Sequence, residues 1–170
     1  SVPDKKLTVS LTNMNSCKLF LLAVMALALP IQAAELATFD AVRKQYQSYR
    51  DPTRLSYLFN RCAALQLNVS ALLERKGQKQ GAKDFENLAQ HYMILSEANE
   101  REIDKKRGLN SKDLTKTVHR NVGVVSEAYS QRLKENFRQR GEYIVGDLQL
   151  ESELTECNVP DQFRKKAVVD

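Results

Sequence analysis

The chain has no tryptophan, only two histidines and three cysteines, and just four prolines and six glycines among its 170 residues. Each scarcity removes a class of protein. No Cys-x-x-Cys or Cys-x-x-Cys-His occurs, so dithiol redox catalysis and covalent haem attachment have no support. Low proline and glycine content excludes collagen-like and low-complexity chains. There is no Gly-x-Ser-x-Gly, and no segment alternates in the manner of a half-buried strand. The longest apolar run, Leu19 to Leu29, has 11 residues, against the roughly 20 that a membrane-spanning helix needs.

What the chain does have begins at Met14. One cation, Lys18, precedes the apolar run, and Pro30 with the small-residue exit Ile31-Gln32-Ala33-Ala34 follows it. That layout reads as a secretory signal peptide over residues 14–34, cleaved after Ala33 or Ala34. Residues 1–13 contain no methionine and read as upstream or non-native sequence, or as a misplaced start. Cys17 lies before the apolar run, where a lipidated cysteine would have to follow it. The mature chain then forms one helical domain over 35–159 with a polar, mobile tail at 160–170. Loss of Lys5, Lys6, Lys18 and Asp4 changes 26 cations and 21 anions to 23 and 20, so a net charge of +5 falls to +3. A balance that even is ordinary solvation and gives no argument for a nucleic-acid partner.

Export also changes the meaning of the cysteines. Cys17 leaves with the leader, and the remaining pair, Cys62 and Cys157, is expected to close as a disulfide. The enclosed loop is long, so the chain-entropy account gives such a crosslink about 4–5 kcal/mol.

Apolar residues recur at helical spacing in five places. Leu36, Phe39, Val42, Tyr46 and Tyr49 predict a first helix over about 35–50. Asp51-Pro52 ends it and starts a second, about 52–76, because proline disfavours helix at the residue before it and favours the first helical position. Leu55, Leu58, Cys62, Leu65, Val69 and Leu72 form a heptad seam on that helix. Gly77 to Gly81 predicts a turn, and a third helix follows over about 82–107, its polar end after Ser96 expected to protrude or fray. Asn110-Ser111 is read as the cap of a fourth helix, about 112–140, in which Gly123 is expected to admit a close neighbour. A short last helix covers about 147–157. The fold class is therefore all-α: an antiparallel bundle of about four main helices plus a short C-terminal one, stapled by Cys62–Cys157. The two sulfurs meet only if the second and last helices are neighbours.

Chemical signals are sparse. His91 and His119 lack the Glu-x-x-His partners of a di-iron bundle, and oxidised cysteines leave no tetrahedral zinc set. Met93 with His119, on adjacent helices, is a pair of the kind that a b-type haem takes as axial ligands. Glu97, Glu100 and Asp104 share a helix face with interleaved cations and read as a solvated surface. Asn68-Val69-Ser70 matches a glycosylation sequon but falls inside a helix. Asn60, Gln66, Asn68 and Ser70 lie off the apolar seam and are expected to face solvent, unless several turn inward to line a polar pocket. Tyr46, Tyr49, Tyr57 and Tyr92 form a candidate recognition surface. No catalytic, metal or cofactor residue is assigned. The reading is an exported protein, periplasmic or secreted, with no stable membrane anchor after leader cleavage. It is expected to be a non-enzymatic interaction or envelope-accessory factor with a protein partner in the cell envelope. The alternative is a carrier of haem or a small apolar ligand in the bundle core.

Overall fold

Asp51 and Pro52 start the helix around which everything else packs. The Asp51 carboxylate accepts the backbone amides of Thr53 at 2.8 Å and Arg54 at 3.1 Å, and Pro52 occupies the first helical position, where its missing N–H costs nothing. In the computed structural model, which describes residues 36–46, 48, 50–110 and 112–157, this is the second of five helices. They are α1 (Phe39–Gln45), α2 (Pro52–Arg75), α3 (Lys79–Lys106), α4 (Leu114–Arg140) and α5 (Leu148–Cys157), with no strand among the described residues. All five belong to one compact unit, residues 33–170. Residues 1–13, the expected leader at 14–34, Tyr49 and the expected tail at 160–170 lie outside the described residues. None of the described helices is long and apolar enough to cross a membrane.

Every residue of α2 from Phe59 to Gln66 is buried, because α1, α3, α4 and α5 all pack against it. The heptad seam supplies Cys62, Leu65 and Val69, while Ala63 and Ala64 present small surfaces that let neighbouring helices approach. The polar residues expected to face solvent turn inward instead. Asn60 and Gln66 are fully buried, and Asn68 and Ser70 are half-buried. A helix enclosed on all sides has no wet face for them, so Asn60, Asn68 and Ser70 bond to groups on the neighbouring helices.

α3 runs antiparallel to α2, with Ser56 beside Ser96 at one end and Ser70 beside Ala82 at the other. The intervening turn is short, with Gly77 at φ 76°, a conformation that suits glycine. α3 starts at Lys79 rather than near residue 82. Gly81 lies within it, where a side chain would meet Leu73 at 3.4 Å, and Ser70 Oγ donates to the Ala82 carbonyl at 2.8 Å. That is ordinary van der Waals contact, and the glycine does not break the helix. The polar end of α3 does not fray either: it is helical to Lys106, with Ser96 and Ile103 buried.

α4 is capped by Asp113, whose side chain accepts the Lys116 amide at 3.1 Å, and not by Asn110-Ser111. Val118, Val122, Val125, Tyr129 and Leu133, three or four residues apart, form its buried stripe. Phe137 emerges from the stripe to stack on Tyr143 at 4.4 Å between ring centroids. Gly123 faces solvent, with nothing within 4 Å of where a Cβ would sit, so the expected close helix approach there does not occur. α5 begins at Asp147, which accepts the amides of Gln149 and Leu150, both at 3.1 Å. It ends at Cys157, joined to Cys62 with Cα atoms 5.3 Å apart. The second and last helices are thus neighbours, as the pairing requires.

Candidate functional site

Two places concentrate chemistry. The first lies inside the molecule. Arg61 on α2 is fully buried, as is Glu153 on α5 (side-chain exposure 0% and 2%). Their ion pair spans 2.6 Å. Arg61 Nε also donates to the Tyr129 hydroxyl at 3.1 Å, and a terminal nitrogen donates to the Ala37 carbonyl. The Phe39 ring covers the guanidinium at 4.7 Å. Glu153 accepts two further bonds, from the Tyr129 hydroxyl and from Gln149 Nε2 at 2.7 Å. Every partner comes from a different part of the chain: the segment before α1, then α2, α4 and α5.

Desolvation of a buried ion pair is offset only where the geometry is close and the remaining polar atoms are bonded, as they are here. Burial alone would lower the Arg61 pKa, but the facing Tyr129 and Glu153 oxygens reverse that and hold it above the ordinary value. Burial first, and the Glu153 carboxylate second, push the Tyr129 phenol well above its usual range. Tyr129 is therefore a fixed proton donor. Tyr92 is another: burial pushes it up to about 12, and its hydroxyl donates to the Cys157 carbonyl at 2.5 Å. Neither of the surface clefts described next is lined by Arg61, Tyr129 or Glu153. Its donors and acceptors serve each other, which makes it a clamp and not a place where substrate meets reactive groups.

The second place is a surface groove of about 310 Å³ between α3 and α4, lined by Gln90, Met93, Ile94, Glu97, Thr115, Val118 and His119. Its apolar members lie along the floor and rim, and Ile94 is 66% exposed. Glu97 is held by Thr115 Oγ1 at 2.9 Å and by Arg101 at 3.2 Å. The size is at the lower end of small-molecule sites. Met93 and His119, the pair singled out for haem, both line this groove, which is open at the surface and is not a chamber in the bundle core. A smaller polar cleft of about 220 Å³ lies where α4 meets the α5 connection, walled by Arg132, Glu135, Asn136, Gln139, Arg140 and Asp147.

The candidate tyrosines do not gather on one surface. Tyr92 is 1% exposed and packs on Phe59 at 6.0 Å, so it belongs to the core. Tyr57 and Tyr46 are half-buried, Tyr57 standing 5.8 Å from the Arg61 guanidinium. Tyr49 lies outside the described residues. The sequon residues are engaged: Asn68 Nδ2 donates to the Ala64 carbonyl at 2.9 Å and to the Ser126 hydroxyl at 2.9 Å. A folded chain offers no free amide there. Glu100 on the acidic face reaches across to Ser56, while Glu97 turns to Thr115. Among the described residues, no three His, Cys, Asp or Glu side chains are placed to hold a metal ion. Sequence reasoning missed Arg61 and Glu153. The one available signal was a single arginine set inside the apolar run of α2, beside Cys62.

Comparison with protein-family models, with curated proteins and with solved structures returned no match. The reading of function rests on the residues alone.

Proposed function

We propose that this is an exported, non-enzymatic interaction protein of the cell envelope, periplasmic or secreted, that uses the α3–α4 groove to meet a protein partner. The observation that carries it is the contrast between the sealed Arg61–Glu153 cluster, whose polar groups are used up in holding the fold, and the open groove with its exposed Ile94. Apolar floor and polar rim together are the pattern of a contact surface. The leader-like segment at 14–34 and the single pair of cysteines left after it support export. Mass spectrometry of protein from its host tests that part. The expected species starts at Ala34 or Glu35 and carries no alkylatable thiol, and intact leader with two free thiols overturns it. A photo-crosslinker at Ile94 tests the groove. It should give one dominant adduct in the envelope fraction that Met93→Glu abolishes and a crosslinker at Lys83 on the same helix does not give.

A second reading, a carrier of haem or of a small apolar molecule, is favoured by one specific observation: Met93 and His119 share the groove. Absorbance of protein purified from its host separates the two. A Soret band lost in both Met93→Ala and His119→Ala supports the carrier.

A further inference from the structure

Residues 36–46 touch the body of the molecule through a narrow set of bonds. The Leu36 carbonyl accepts from Gln149 Nε2 at 2.9 Å. The Ala37 carbonyl accepts from Arg61. Phe39 and Val42 are buried, Phe39 under the Arg61 guanidinium, and Arg43 pairs with Glu156. Two of these partners, Gln149 and Glu156, are on α5, and a third α5 residue, Glu153, neutralises the Arg61 that holds Ala37 and Phe39. α1 has 7 residues and α5 has 10, both too short to persist as helices alone. The N-terminal segment thus rests on α2 and α5 together, and α5 is held by the Arg132–Asp147 pair at its start, by Glu153 on Arg61 in its middle and by the Cys62–Cys157 bond at its finish.

We infer that closure of Cys62–Cys157 is the event that docks residues 36–46, so that the fold couples oxidation at its C-terminal helix to ordering of the segment just beyond the leader. Two thiols lose two protons and two electrons as the sulfur–sulfur bond forms. A low-molecular-weight disulfide or a protein disulfide supplies the oxidant and is itself reduced to two thiols. Cys62 is 5% and Cys157 0% exposed, and the Tyr92 hydroxyl is bonded to the Cys157 carbonyl, so an attacking thiolate has no approach once the helix is seated. In the reduced chain Arg61 lacks a placed carboxylate, and residues 36–46 stay off the body. On the export reading, this keeps residues 36–46, the segment that follows the cleavage site, undocked until the chain reaches an oxidising compartment. That purpose depends on export, but the coupling itself does not.

Hydrogen exchange on the full chain tests the coupling. In the Cys62→Ser/Cys157→Ser variant, amides of 36–46 and 148–157 should both lose protection by about tenfold or more, while 118–133 and the α2–α3 pair keep theirs. Protection retained at 36–46 overturns the proposal. If that variant unfolds throughout, oxidised Gln149→Ala/Glu156→Ala decides: protection should fall at 36–46 and persist in α5, and unchanged protection at 36–46 overturns the coupling. The mass of the mature chain, read separately, reports on export alone.

Discussion

α2 carries two buried polar clusters within two turns of each other, and they are built from opposite chemistry. Ser56, Asn60 and Ser96 form a neutral set: the two serine hydroxyls lie 3.1 Å apart, and Ser96 donates to Asn60 Oδ1 at 2.8 Å. Arg61, Glu153 and Tyr129 form an ionic one. The neutral cluster joins α2 to α3, helices already paired by the short turn between them. The ionic cluster joins Ala37, Arg61, Tyr129 and Glu153, residues far apart in the chain that no local turn brings together. Losing one neutral partner leaves at most one uncharged hydroxyl or amide oxygen short of a bond. Losing one ion leaves a charge in a dry interior, which is much more expensive. The molecule puts its costly interaction where specificity of assembly is needed and its cheap one where connectivity already decides.

The sharpest way to break that comparison is Glu153→Leu. It keeps the volume and strands Arg61, and should destabilise by about 3–5 kcal/mol, read as a lower midpoint in urea. The Arg61→Met/Glu153→Leu double variant should be less destabilised than Glu153→Leu alone, since a well-packed apolar pair removes the stranded charge. A Glu153→Leu loss below about 1 kcal/mol would mean that water reaches the guanidinium and that the contrast between the clusters is false.

Asp147 supplies an intermediate case at the entrance to α5. Its carboxylate takes two bonds from Arg132, at 2.7 and 2.8 Å, as well as two backbone amides. Burial works to raise its pKa, but Arg132 and those amides outweigh it and hold the group below the usual carboxylate range. A folded pKa below the unfolded one stabilises fully above the unfolded value, about 3.9, and fades as pH falls through the folded value. Asp147→Asn should therefore cost about 1–3 kcal/mol at pH 7. The gap from the parent should narrow in melts taken below about pH 4. A gap independent of pH would assign the effect to shape and not to charge.

Much of this architecture was legible, because helical periodicity and caps act locally. Asp51-Pro52 marks the start of α2, and Leu55 through Leu72 mark a face that packs. The pairing of Cys62 with Cys157 followed from counting. What stayed hidden is what depends on enclosure. Asn60 and Gln66 read as wet because a two-neighbour helix has a wet side, whereas α2 is covered on all sides. Gly81 read as a breaker and is a contact. Arg61 and Glu153 lie 92 residues apart, and no spacing rule links them. The groove brings Met93 and His119 together as adjacent helices suggested, but its openness depends on how closely α3 and α4 pack, which periodicity does not encode.

Ser96→Ala tests the neutral side. Ser56 keeps its contact with Glu100, so the loss is confined to Asn60 Oδ1, whose neighbourhood on α2 and α3 remains polar. The expected cost is about 1 kcal/mol, several times smaller than that of Glu153→Leu in the same urea titration. Comparable losses at the two sites would erase the distinction between neutral and ionic burial.

Gly123→Ala calibrates both clusters, because it touches neither. The position is helical and exposed, with open space where the methyl would go. The substitution can act only through backbone entropy and helix propensity, so it should stabilise by up to about 1 kcal/mol. If it destabilises instead, α4 has a neighbour on its outer face in solution. The exposed Val124 beside it would then be the place to look for that neighbour, and the α3–α4 groove would not be the sole contact surface.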